Sequence, residues 1–288
     1  MHPRDVQSRR EFFKLAGMAG STLAGAAVFD RSGVAAEGGP RDKKKTPFAL
    51  GLASYTLRKF DLDQTLVMTR RVGLTHICLK SFHLPLDATT EQIAAAAAKV
   101  KQSGLDLYGG GVITMKTDKD VNQAFDYAKA AGMRTIVAAP APDMLPLVDE
   151  KVKRFGIEVA IHNHGPGDKV YPTPESVYRK VEKFDKRIGL CIDIGHTARI
   201  GADPVADAER FADRLLDLHI KDVSAAKPEG QTVEIGRGVI DIPALLRTLI
   251  KIGYARVASF EHEKDENDPL AGLAESVGYI RGALAAIG

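Results

Sequence analysis

From Thr46 to the C-terminus the chain repeats one pattern eight times: a short run of β-branched and apolar residues, then a longer stretch with helical periodicity. The runs are 48–54, 76–80, 105–108, 134–139, 158–162, 188–193, 215–221 and 257–261. The helical stretches are 62–71, 90–103, 120–131, 145–155, 173–184, 204–212, 242–252 and 269–286. Thr89-Thr90-Glu91-Gln92 opens the second stretch with a capping signal. Gly73, Gly104, Gly132, Gly156 and Gly253 follow the ends of five stretches, this one included, or their turns, where a left-handed residue stops a helix. Such alternation requires right-handed crossovers and a parallel sheet. Eight units in about 240 residues is the count of a closed (β/α)8 TIM barrel, whereas an open doubly wound sheet more often stops at five or six strands. The expected organisation is α/β, one barrel domain over 47–288. No Gly-x-Gly-x-x-Gly follows the first run and there is no phosphate-loop signature, which argues against a nucleotide cofactor. Gly109-Gly110-Gly111 is read as a tight turn at the barrel mouth.

The first 36 residues read as an address rather than a fold. Ser8-Arg9-Arg10-Glu11-Phe12-Phe13-Lys14 precedes a weakly apolar stretch, 15–29, and Val34-Ala35-Ala36 offers small residues for a signal peptidase. The arginine pair makes the segment resemble a twin-arginine (Tat) signal, so an exported, periplasmic protein is expected. The apolar stretch is too short and too rich in Gly and Ala to span a bilayer, so no stable membrane association is expected once 1–36 is removed. Residues 37–46 are expected to form a linker. Export by this route suits a protein that folds, and takes up its cofactor, before it crosses the membrane. The formal charge of +3 falls to about +1 without the signal, which excludes the concentrated basic stripe of a nucleic-acid partner. Cys78 and Cys191 fall on runs expected to face each other across the barrel, too far apart for a disulfide. Ala94–Ala98 would give a smooth helix face, suited to a second copy of the chain or simply to helix formation.

In a TIM barrel the reacting groups come from the carboxyl ends of the strands. Four successive runs deliver them: His162-Asn163-His164, Asp193-Ile194-Gly195-His196, His219-Ile220-Lys221-Asp222 and Glu261-His262-Glu263. Side chains alternate faces along a strand, so His162, Asp193, His219 and Glu261 can all point into the mouth. Two imidazoles and two carboxylates at one point make a divalent-cation site; mixed N/O ligation suits manganese first, with zinc, cobalt or iron(II) also admissible. His164 shares the face of His162 and serves as acid/base or as the ligand in its place. Glu261 is a base or purely a ligand. Lys80 and His83 follow the second run and would address the far end of a sugar. Lys221, on the face of His219, would contact substrate, its charge balanced by Asp222 or a substrate carboxylate. Glu234 and Arg237 would clamp hydroxyls or form a loop salt bridge, Tyr55 would wall a sugar face, and His262 and Glu263 would orient ligands or lie at the surface.

Taken together, Asp193-Ile-Gly-His196, His219-Ile-Lys-Asp222, Gly236-Arg-Gly-Val-Ile-Asp241 and Ser259-Phe-Glu261 resemble signatures of the xylose-isomerase-like TIM barrels, the sugar phosphate isomerase/epimerase superfamily. That superfamily includes inosose dehydratases, hydroxypyruvate isomerases, ketose 3-epimerases and endonuclease-IV-type repair enzymes. The resemblance covers essentially everything after Thr46. It implies that Asp193, His219 and Glu261 are metal ligands and that His196 contacts substrate. The chain departs from the pattern at one point. Epimerases of the family carry a metal-binding catalytic Glu at the end of strand five, where this chain has His162. A two-glutamate relay working on opposite faces of a carbon cannot then operate. The expectation is a divalent-metal enzyme acting on a sugar, keto-sugar or glycoside by proton abstraction next to a carbonyl, tilted toward a lyase or dehydratase and away from an isomerase or epimerase. The competing expectation is a catalytically degenerate, exported carbohydrate-binding barrel. An abasic-site nuclease is disfavoured by the low histidine count and near-zero charge.

Overall fold

The computed structural model describes residues 46–287; the expected signal and nearly all of the expected linker lie outside them. Eight strands close into a parallel barrel: β1 (Ala49–Ala53), β2 (His76–Leu79), β3 (Asp106–Met115), β4 (Thr135–Pro140), β5 (Glu158–His162), β6 (Ile188–Asp193), β7 (Leu215–Ile220) and, after a small hairpin, β10 (Val257–Phe260), which pairs back onto β1. The hairpin is β8 (Asp222–Val223) with β9 (Thr232–Val233). The helices are α1 (Leu62–Arg71), α2 (Thr90–Gln102), α3 (Asp118–Ala131), α4 (Leu145–Phe155), α5 (Pro174–Val181), α6 (Ile194–Arg199), α7 (Pro204–Arg210), α8 (Ile242–Lys251) and α9 (Leu270–Ile287).

The local chemistry matches the elements it builds. Asp61, Thr89 and Thr117 each cap a helix with a reciprocal box, their side chains accepting the N3 amide while the N3 side chain accepts the cap amide. Inside the barrel, Cys78, Tyr108, Val137, Ala160, Cys191, Leu216 and Val257 fill one cluster, and the outer apolar cluster welds helices to sheet. Both cysteines are free.

The glycine triplet is a correction. Gly109-Gly110-Gly111 is not a turn: β3 runs through it to Met115, with a register shift against β4 between Gly110 and Ile113. The cause is close packing. A Cβ at Gly109 would lie 2.8 Å from the Thr135 carbonyl oxygen, and one at Gly111, at φ +138°, would overlap that of Val137. The glycines let β4 press against β3, and so carry β3 further up the barrel than its apolar run suggested. Helix α6, directly after β6, and the β8–β9 hairpin were not expected either.

Hydrogen-bond register staggers the mouth. His162 pairs with Cys191, Asp193 with His219, and His219 with Ser259, two residues short of Glu261. Asp193 and His219 are thus direct ladder partners, while His162 and Glu261 are each offset by two residues, and in a tilted barrel these steps bring the four heads to one level.

Candidate metal centre

His162 ends β5, Asp193 ends β6, His219 lies in β7 and Glu261 follows β10. One ligand atom from each of the four lies within 4.8 Å of all the others, and all four residues are buried. His162 Nε2 is 3.4 Å from Asp193 Oδ2, and His219 Nδ1 is 3.3 Å from Glu261 Oε2. Donors at the corners of a tetrahedron with metal bonds of about 2.1 Å stand about 3.4 Å apart. Both ring nitrogens of His162 and of His219 are buried without a hydrogen-bond partner, and Asp193 Oδ2 meets the Lys221 ammonium at 2.9 Å. Orphaned polar atoms of this kind are costly unless something ligates them. The donor set therefore fits a divalent cation.

The surrounding charges set terms for that cation. Lys221 Nζ lies 2.9 Å from Asp193 Oδ2 and 2.9 Å from Glu261 Oε2, and also pairs with Glu263; Lys80 Nζ is 3.1 Å from Glu261 Oε1. Three carboxylates against two ammoniums leave one negative charge, and a dication would turn this into one positive charge. Burial opposes ionisation of Glu261, but Lys221, Lys80 and His219 outweigh it and hold the carboxyl well below the usual range. Burial likewise opposes the Asp193 charge, and His196, Lys221 and His162 overcome it. Burial pushes the His162 imidazole far down, ahead of the pull of Asp193, so it is neutral and ready to ligate. Burial also lowers His164, which Asp168 only partly offsets.

Neighbouring residues hold the ligands in place. Asp193 Oδ1 accepts the His196 amide at the start of α6, while Asn163 Oδ1 accepts the Asp193 amide at 3.0 Å and Asn163 Nδ2 donates to Thr197 Oγ1. Asn163 thus bolts the β5 end to the β6 end. Sequence reasoning passed it over, although its place between two inward histidines on an alternating strand already turned it toward a neighbouring element.

A cavity of about 380 Å³ opens over the cluster, and Tyr55, Lys80, His162, His164, His196 and Glu261 are among its walls. His164 stands beside His162, ring centroids 4.5 Å apart, with its Nδ1 3.2 Å from Asp168 Oδ2. His196 Nε2 lies 4.0 Å from Asp193 Oδ2. The remaining candidates sit elsewhere. His83 is not a wall residue: its Nδ1 meets Ser54 Oγ at 2.8 Å and its Nε2 lies 3.0 Å from both Thr65 Oγ1 and the Phe60 carbonyl. Glu234 pairs with Lys264, and Arg237 forks onto Glu275. Asp222 does not balance Lys221; its carboxylate accepts the amides of Val223, Gly236, Gly238 and Ile240 and so shapes the loop of the Gly-Arg-Gly segment. A wider hollow, about 790 Å³, opens at the opposite end of the barrel, where Arg134 and Arg256 are committed to Asp106 and Glu158. Among the described residues, the unpartnered ligating atoms gather at the carboxyl end, and the chemistry belongs there.

A closed eight-stranded α/β barrel with a four-residue N/O cluster at its mouth is a defined class of protein, and comparison places the chain within it. The family model described as xylose isomerase-like TIM barrel matches residues 69–283, most of the chain, and the chain belongs to that family. It is 34% identical over 133 residues to the rhizopine catabolism protein MocC of Rhizobium meliloti, covering 41% of this chain and 40% of that protein. An inosose dehydratase of Lacticaseibacillus casei is 24% identical over 136 residues, 42% of this chain and 45% of its own length. The chain thus aligns with less than half the length of these curated relatives. Among solved structures, 3-keto-D-glucoside 4-epimerase (YcjR) from E. coli superposes with a TM-score of 0.66 at 16% identity, over 82% of this chain and 99% of that one, a likeness of fold.

Proposed function

We propose that this chain is a divalent-metal-dependent enzyme that removes a proton from the carbon next to a carbonyl in a keto-sugar, keto-polyol or keto-glycoside and then expels a β-substituent, as a lyase or dehydratase. One observation carries the reading: β5 ends in the unpartnered imidazole His162, where a two-carboxylate relay needs a second glutamate. Glu261 does not fill the role of base, because two ammoniums and an imidazole stabilise its charged form. His164 fills it. Its imidazole is held neutral by burial, borders the cavity and lies beside the ligand cluster. A neutral imidazole takes the proton and returns it to the departing hydroxyl or alkoxyl, so one residue serves both halves of an elimination.

A bound dication supplies Lewis acidity to the carbonyl and an adjacent hydroxyl oxygen. Lys80 and Lys221 keep positive charge beside the oxygen on which negative charge develops, without having to reorganise. His196 borders the cavity and offers a ring to a substrate hydroxyl. The inosose dehydratase aligned above is by its name a dehydratase of an inosose, which agrees with this class of substrate. The test is NMR of keto-sugars and keto-glycosides with manganese and protein in D₂O. Loss of water or of an alcohol supports the reading, whereas solvent deuterium in an isomer that has lost nothing makes the enzyme an isomerase or epimerase. A second reading, a carbohydrate-binding barrel without catalysis, draws on the Lys221 ammonium that already occupies both ligand carboxylates; sugar binding without product under any divalent metal would establish it.

We further propose export by the twin-arginine route, from Arg9-Arg10 and the residues after them. Replacing both arginines with lysine should then hold the protein in the cytoplasm, and unchanged export would contradict the assignment.

A further inference from the structure

We infer that the cavity has a second, apolar half that receives a flat aromatic leaving group, so that the substrate class is an aryl glycoside bearing a keto-sugar; this rests on the function proposed above and narrows its substrate. The division follows from the order of the strands. The polar walls come from β5, β6 and β10 or the residues just after them: His162, His164, His196, Glu261 and Glu263. The opposite walls come from β1, β2 and β3, and there the side chains are Tyr55, Phe82 and Val112, with Lys80 and Ser81.

Tyr55 and Phe82 are 37% and 49% exposed and lie side by side at the cavity wall, a contiguous apolar surface of the kind that marks a binding site. Their ring centroids are 6.3 Å apart and tilted by 53°, which makes a corner rather than a flat shelf. The corner is held rigid from behind. Phe82 packs edge-on against His83 at 4.6 Å, and His83 is tied to Ser54, Thr65 and the Phe60 carbonyl. Ser54 Oγ also accepts the Lys80 amide, so one hydroxyl fixes the β1 and β2 ends together. This gives His83 a positioning role in place of the sugar contact expected from sequence.

The chemistry of the corner favours an arene over a second sugar. A second sugar would bring several hydroxyls that need partners. All three nitrogens of Arg58 are already engaged, by Glu266, the Tyr55 carbonyl and the Glu263 carbonyl, and Lys80 is committed to Glu261. The uncharged side-chain donors that line this side are the hydroxyls of Ser81 and Tyr55. Arg58 and Lys80 lie 4.7 Å and 5.6 Å from the Tyr55 ring centroid, with their charges paired to Glu266 and Glu261, which stiffens the ring. Two aromatic faces meeting a third ring supply offset and edge contacts beyond simple area burial. The leaving group would then sit on the apolar side, while its sugar lies over the ligand cluster.

The test is calorimetric binding of two unoxidised, non-reacting probes, phenyl β-D-glucoside and methyl β-D-glucoside, to the full chain with and without manganese. Phenyl should bind about tenfold tighter than methyl. Phe82→Ala should bring phenyl down toward the methyl value and leave methyl unchanged, and Tyr55→Ala should weaken phenyl more than methyl. Phe82 and Tyr55 are exposed, so neither change threatens the core. Equal affinities for the two probes, a preference that survives both replacements, or binding of neither probe would overturn the subsite. Failure of the proposed function would show separately, as missing metal content or missing turnover in a protein that still prefers phenyl.

Discussion

Lys221 sets the charge balance at the barrel mouth. It is 2% exposed and balances Asp193, Glu261 and Glu263 together, and these partners outweigh burial to hold its ammonium charged. It would thus compete, as a tethered cation, for two oxygens of the candidate site. Lys221→Met should tighten manganese binding by tenfold or more in calorimetry while lowering turnover; unchanged metal affinity would show that the ammonium does not compete. His164 supplies a second expectation. Because burial puts its imidazole below 6.5, the basic form persists to lower pH than in a free histidine. Activity is present above that pKa and lost as pH falls through it, so the acid limb of kcat/KM should lie below pH 6.5. His164→Ala should cost on the order of 10²-fold or more in kcat with bound metal unchanged. Loss of metal along with activity would make His164 a ligand instead.

The elements explain why those residues stand where they do. Helix α6 begins on Asp193 itself, and its second residue, Gly195, leaves a slot for the Lys221 stem: a Cβ there would lie 2.6 Å from Lys221 Cδ and overlap its Cγ. Gly195→Ala should displace Lys221, destabilise the protein by about 1–3 kcal/mol through overpacking, and lower turnover. Thermal melts and kinetics on the same sample would check this, and a wild-type turnover would contradict it. The ligand cluster was legible in sequence because period-two alternation at four strand ends needs no knowledge of the partners. The glycine triplet was not, since its reason is the carbonyl of β4 some 25 residues away, and a local reading of three glycines favours a turn. For the same cause Glu234 and Arg237 took the salt-bridge alternative with partners the sequence did not name, and His83 and Asp222 were misplaced. Their partners (Lys264, Glu275, Ser54 and a row of loop amides) come from elements that only closure of the barrel brings near.

At the scale of the whole molecule, barrel closure converts residues spread from 162 to 261 into one buried site and leaves the outer helices to tune stability. Asp207 on α7 illustrates the second point. Burial, helped by Asp203 and Glu175 and opposed by Arg210, raises its carboxyl to about 6. A carboxyl raised on folding contributes stability below its unfolded pKa and loses it as pH climbs through 6. Asp207→Asn should therefore stabilise the protein at pH 8 by about 1 kcal/mol after allowance for solvent screening, a few degrees in Tm, and do nothing at pH 4. An equal gain at both pH values would mean the charge is not responsible. The cluster at the mouth can be tested more directly than anything else in the molecule, by elemental analysis of the purified protein alongside its Asp193→Asn and His219→Ala variants. About one divalent ion per chain, lost in both variants together with turnover, is the expected result; full turnover in a metal-free variant would contradict a metal-centred site.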